Sequence, residues 1–350
     1  MFNRHDISAD ACALTGPLAS NGYDRWWHSF TGYEENTGRP LSFFVEYYLC
    51  NPLDGSAKPV FAHTRGGKLS KQKPSYLMIK AGCWGEERMQ LHRFYGAHRI
   101  GVDYGVPVSI CAGDCFLGED GIRGNISVSK DEASQNKDWM SDAGTMSWSL
   151  VMDKQVAFNP GPGYFLHAEG MKTAYTGDVV VNGVRYIVRP ENSHGFAGKN
   201  WGSDLPSRSI RLSSCNLSDI ATGKKLSGNV FNTSLAPNGK LLSAFWIDGR
   251  EYEFNLSGLS RLCKTKTSCR EAGRTIIWHI EQKSLFDKVI LDVTCRKKDM
   301  ILARYESPTG ERRTRRLWNG GNGSGKVQIF HKGKNIYTFK AENVLCELGI

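Results

Sequence analysis

The chain has 350 residues, 40% hydrophobic and 23% charged, a balance that excludes a disordered chain and, at this length, predicts two units rather than one core. Glycine at 38 residues and aromatics at 11%, without a long Ala/Leu/Glu/Lys tract, favour short strands and turns over helices. The 45 basic residues outnumber the 35 acidic ones for a formal net charge of +10, which points to an anionic surface, substrate or partner.

In chain order, the aromatic density of Tyr23 to Phe30 predicts a first strand feeding a core. From Leu41 to Leu49 the side chains alternate, with Phe43, Val45, Tyr47 and Leu49 on one face and Phe44, Glu46 and Tyr48 on the other. Ser75 to Trp84 repeats the pattern, setting Leu77, Ile79 and Ala81 against Tyr76, Met78, Lys80 and Trp84. Charged residues on mostly apolar faces predict a barrel that encloses a pocket, or a cross-strand Glu46–Lys80 pair that neutralises two inward charges. Short strands follow from 85 to 150, with turns at Gly101 to Gly105 and Gly118 to Gly121 and a polar loop around Lys130 to Asp142. Met146 to Met152 alternates cleanly and carries Trp148, Asn159 to Gly163 is a strong break, and Val179 to Val188 is a hairpin turning at Asn182-Gly183.

Gly195 to Pro206 packs Lys199, Asn200, Trp201 and Asp204 between glycines and ends at a proline, so its backbone is permissive and rich in donors. It reads as a barrel corner in which Trp201 plugs the core, or as a ligand-facing cluster. Strands then recur at Ile210 to Leu212, Leu241 to Ile247 with an Asp248-Gly249 turn to Tyr252, Thr275 to Ile280, Val289 to Val293, Ile301 to Tyr305, Val327 to Phe330 and Ile336 to Phe339. That cadence across both halves predicts an all-β chain of two antiparallel barrel-like units, 1–188 and 189–350.

Much of the basic excess sits in Arg312-Arg313-Thr314-Arg315-Arg316 and Arg296-Lys297-Lys298. These are solvated loop charge or a contact for anionic lipid headgroups, where each residue adds roughly 1 kcal/mol; no motif accompanies them that would favour nucleic acid. No stretch has the ~18 apolar residues needed to span a bilayer, and Met1 to Asp6 lacks the apolar core of a signal peptide, so a cytoplasmic protein, at most membrane-peripheral, is expected. The ten cysteines are scattered and read as mostly free thiols. Neither Cys111 with Cys115 nor Cys263 with Cys269 has the spacing of a metal site, and no nucleophile elbow, phosphate loop or dinucleotide fingerprint is present. The oligomeric state is left open.

Four separated segments carry a resemblance. Lys199-Asn200-Trp201-Gly202 followed by Pro206 is similar to the signature of the tocopherol cyclase family, and Phe43 to Pro52, Lys73 to Trp84 and Asn319 to Gly325 look like further segments of its bacterial members. The resemblance implies a pair of lipocalin-like barrels with a pocket near their junction. It also implies acid-promoted ring closure, in which a proton adds to a prenyl double bond and a phenol oxygen captures the cation, with no metal or redox cofactor.

Such chemistry needs a carboxyl kept protonated by an apolar site, walls that exclude water, and an orienting contact for the head group of a hydrophobic substrate. Glu46, flanked by Phe44 and Tyr48, is the best-placed acid by strand geometry; Asp204 is the alternative, though Lys199 would lower its pKa, and His194 is a candidate relay. Lys199, Asn200, Trp201, Tyr48, Lys80, Trp148 and Arg211 are the candidate substrate contacts. The chain departs from the family pattern at Gly198, where a Glu is expected, at Leu205, where an aromatic is expected, and around Ser209 and Arg211, which replace tryptophans. A face with Ser209, Arg211 and Ser213 suits a more polar or anionic substrate than a prenylquinol. A non-catalytic carrier of a lipophilic ligand is the alternative use of the same pocket.

Overall fold

The structure is a computed structural model and describes residues 6–63, 72–135, 139–160, 166–236, 238–256, 263–311 and 314–349. Strands β1 (Tyr23–Glu34), β2 (Pro40–Cys50), β3 (Tyr76–Cys83), β4 (Met89–Tyr95), β5 (Gly101–Asp103), β6 (Ser109–Ala112), β7 (Cys115–Gly118), β8 (Gly121–Val128), β9 (Gly144–Phe158), β10 (Leu166–Val181), β11 (Val184–Val188) and β12 (Gly195–Gly202) form one antiparallel sheet. A second holds β13 (Ile210–Ser214), β14 (Asn216–Asp219), β15 (Val230–Leu235), β16 (Leu241–Ile247), β17 (Arg250–Phe254), β18 (Lys264–Ala272), β19 (Thr275–Lys283), β20 (Asp287–Arg296), β21 (Ile301–Tyr305), β22 (Arg315–His331) and β23 (Lys334–Gly349). The protein is therefore all-β, with two barrel-type units.

Local chemistry explains most strand ends. Asn182 and Gly183 have φ of +48° and +85°, and Asp248 and Gly249 have +50° and +77°, the left-handed pairs that a two-residue hairpin requires. One expected loop is partly helical: Lys130–Gln135 forms a short helix, where Ser129 accepts from the Glu132 amide while the Glu132 carboxylate accepts from the Ser129 amide, a capping box. The break at Asn159 to Gly163 lies between β9 and β10, with 161–163 outside the described residues.

Two corrections concern the segments singled out by composition. Gly195–Gly202 is a regular strand, not a corner, and it pairs with β1 and β10. It thus belongs to the first sheet, and the change of sheet falls between Gly202 and Ile210 rather than at 188/189. The glycine run at Asn319 to Gly325 likewise lies inside β22. A β-carbon on Gly321 would overlap the Trp84 ring, so glycine there lets the second sheet approach the first.

Alternation in β1 to β3 places two apolar faces on different cores. Trp26, Phe43, Val45, Tyr47, Leu77 and Ile79 fill the first barrel. Trp27, Phe44 and Trp84 pack against Leu242, Ala244, Ile301 and Leu345 of the second unit. Tyr48, Tyr76 and Met78 pack against Ala303, Tyr305 and Leu317. Glu46 and Lys80 share this second face, so they point between the units and not into the first barrel.

Arg312 and Arg313 lie outside the described residues. In the other basic run, Arg296 pairs with Asp299 at 2.5 Å, Lys297 with Glu271 at 2.5 Å and Lys298 with Glu86 at 3.3 Å. No helix among the described residues is long and apolar enough to cross a membrane.

Candidate functional site

The junction is built on the direct cross-strand pairing of Glu46 with Lys80. Lys80 Nζ lies 2.9 Å from Glu46 Oε2, Arg25 Nε 2.5 Å from Oε1, and the Tyr305 hydroxyl donates to Oε2 at 3.0 Å. All four side chains are buried, and Arg25 also stacks over the rings of Trp27 and Tyr305, at 4.8 and 5.2 Å. Burial alone would push the Glu46 carboxyl up, but Arg25 and Lys80 outweigh it and hold the group below its usual range. Glu46 is thus an ionised structural anion, and its expected role as acid is not compatible with this geometry.

Beside this network a cleft opens between the sheets, bordered by Tyr23, Arg25, Arg211, Tyr305 and Glu347 and by apolar Leu205, Leu235 and Leu317. It holds about 770 Å³ counted out to its mouth. Glu347 accepts from the Ser209 hydroxyl and lies 3.4 Å from Arg25 Nη1. Burial again opposes its charge, but Arg25 and Arg211 keep its carboxyl low. Arg211 pairs across the sheet with Glu347, and burial works against its charge while Glu347 supports it.

The remaining candidates separate by strand face. Asn200 lines the cleft and donates to the Tyr23 hydroxyl at 3.0 Å. Lys199 and Trp201 alternate with it and face away. Lys199 is buried, donates to the Ala11 carbonyl at 2.8 Å, pairs with Asp24 at 3.1 Å and lies 4.4 Å from the Trp201 ring centre. Asp24 is pushed up to about 6 by burial despite Lys199. Neither Lys199 nor Trp201 contacts the cleft, which corrects both as substrate contacts. Trp148 sits in the first barrel core, far from this face. His194, at φ +43°, opens onto a different cleft with Lys172 and Lys225, and burial pulls its imidazole down to about 4, so it does not relay to Glu46. Asp204 stands near the mouth, accepting from Ser307 Oγ at 2.5 Å, with Arg315 at 3.8 Å.

Tyr48 donates to the Glu306 carbonyl at 2.9 Å, and this leads to a carboxyl that sequence reasoning missed. Glu306 is fully buried; its Oε1 accepts from the His63 amide at 2.8 Å and faces His63 Nδ1 at 3.0 Å, while Oε2 has no hydrogen-bond partner among the described residues. Burial raises its pKa, with the His63 contacts opposing. Tyr48, Tyr76, Trp139 and Tyr305 surround this region as one cluster, with Tyr48 and Tyr305 ring centres 5.4 Å apart. Arg25 and Tyr305 were legible in principle, since both fall on the apolar face of a period-two strand. Glu306 follows the last strand residue and carried no such signal. Among the described residues no three His, Cys, Asp or Glu side chains converge as a metal centre would require.

No family model matches the chain, and no curated protein matches it. Among solved structures it is similar to kievitone hydratase from Nectria haematococca, with 9% identity and a TM-score of 0.49 over 99% of this chain and 92% of that one. A candidate AttH protein from Nitrosomonas europaea aligns at 11% identity and a TM-score of 0.44 over 93% and 92% of the two chains. At such identities neither likeness speaks to ligand or activity.

Proposed function

We propose that the chain binds a hydrophobic small molecule in the junction cleft and, like the tocopherol cyclase family it resembles, promotes cofactor-independent cyclisation or hydration. The observation that carries this reading is the buried aromatic cluster of Tyr48, Tyr76, Trp139 and Tyr305, which meets the cleft through Tyr305 and has the raised carboxyl of Glu306, buried behind the cleft lining, beside it. Aromatic faces can stabilise a carbocation by up to ~2 kcal/mol each when water is excluded. A protonated Glu306 would give its proton to a substrate double bond, the substrate hydroxyl or a water would capture the cation, and the proton released from that oxygen would return to Glu306. No oxidant or reductant enters the balance.

A carrier reading has its own support: Glu46 and Glu347, the carboxylates nearest the cleft, are both held ionised and cannot act as acids near neutral pH. Incubating the purified protein with a prenylquinol panel and a host extract separates the two. Products of unchanged mass, or heavier by one water, are expected from the enzyme; retention of the ligand without any product identifies a carrier.

A further inference from the structure

We propose that the junction cleft selects ligands bearing a carboxylate or equivalent anionic group, seated against Arg211. The inference depends on the reading of the cleft as the ligand site and names the chemical class of what enters it.

Arg211 is only 7% exposed, yet no carboxylate lies within ion-pair distance of its guanidinium among the described residues; its close contact is the Phe196 ring, 5.5 Å away. Its cross-strand neighbour Glu347 is already engaged by Ser209 and Arg25. The buried charges at this place are Arg25, Lys80 and Arg211 against Glu46 and Glu347, so one positive charge is left over. Burying an unpaired ion is costly, and a bound anion removes that cost.

Arg211 itself borders the cleft, so its guanidinium is reachable from the mouth. Ser234, paired across the sheet with Arg211, and Asn200 line the same cleft and offer further polar contacts. Leu205, Leu235 and Leu317 are placed to hold the apolar body of the ligand. An Arg–carboxylate contact of this kind is bidentate and charge-assisted.

The test uses the full chain with dodecanoic, farnesoic and cinnamic acids and their methyl esters, measured by calorimetry and by thermal midpoint. The wild type should bind at least one acid about 10-fold or more tighter than its ester, and Arg211→Met should abolish that preference while leaving ester affinity unchanged. Arg211→Lys, which keeps the charge, should retain part of the preference. Should Arg211→Met fail to fold, the Lys variant decides by the same acid-to-ester ratio. Equal binding of acid and ester to the wild type overturns the charge selectivity and leaves the cleft reading standing; binding of neither, by any pair, overturns the cleft reading and the inference with it.

Discussion

Tyr305 and Glu46, 259 residues apart, meet at 3.0 Å where the two sheets join. The short segment that begins at Tyr305 holds or touches three of the four carboxyl groups of this region, Glu347 being the fourth. Tyr305 donates to Glu46, Glu306 is itself buried, and Ser307 donates to Asp204. The three are sorted by their surroundings: Glu46 is ionised between two cations, Glu306 is raised in an apolar setting, and Asp204 stands part-exposed at the mouth.

Glu46→Gln should therefore act on stability first. Removing the anion leaves Arg25 and Lys80 buried together, which should cost ~3–5 kcal/mol in a denaturant titration. Because the folded-state pKa of Glu46 lies below its usual 4.5, its contribution is present above that value and is lost as pH falls. A Gln variant as stable as wild type would show that this network does not hold the junction.

Glu306→Gln should remove turnover while ligand affinity stays unchanged and stability stays within ~1 kcal/mol, since the amide oxygen can still accept from His63. The wild-type rate should be constant at low pH and fall as pH rises through the raised pKa of this carboxyl, the sign required of a general acid. Undiminished turnover in the variant would remove Glu306 from the reaction.

Trp201→Ala should lower stability by about 1–2 kcal/mol, through lost stacking on Lys199 and partial burial, and leave cleft affinity unaltered. A binding isotherm with a weakened acid ligand at unchanged midpoint would place Trp201 in the site after all.

His28 is fully buried with Nδ1 3.0 Å from the Tyr175 hydroxyl; burial and then Lys154 pull it from 6.5 down to about 3, with Asp10 opposing. A lowered folded-state pKa means the folded chain resists protonation, so stability is complete above pH 6.5 and declines as pH falls toward 3. At ~1.4 kcal/mol per pH unit the loss is of order 5 kcal/mol. Replacement by Phe should flatten the stability profile over that window by about one proton, and an unchanged slope would assign acid unfolding to other groups.

Much of the secondary structure was legible locally. The alternation in Leu41 to Leu49 and Ser75 to Trp84, and the Asn182-Gly183 and Asp248-Gly249 turns, depend on side-chain period and backbone sterics, which neighbouring residues determine. The Glu46–Lys80 pair was legible for the same reason, being set by strand register. Gly195–Gly202 was not: its glycines and donors resemble a corner, and only the hydrogen bonds offered by β1 and β10 on either side make it a strand. Arg211 was legible as a polar residue in an expected aromatic position, but its lack of a carboxylate partner among the described residues is a property of the folded junction.

The sequence by itself determined an all-β chain in two units and named Glu46, Tyr48, Lys80, Asn200 and Arg211, five residues that the fold brings to one junction. Tertiary structure decided what each of them does. Whether a carboxyl is an acid or a counterion depends on desolvation and on charges supplied by strands hundreds of residues away, as Glu46 between Arg25 and Lys80, and Glu306 beside His63 and the tyrosines, make plain. Those through-space terms have no local signature in the order of residues, so protonation state and ligand charge emerge only once the second sheet has closed over the first.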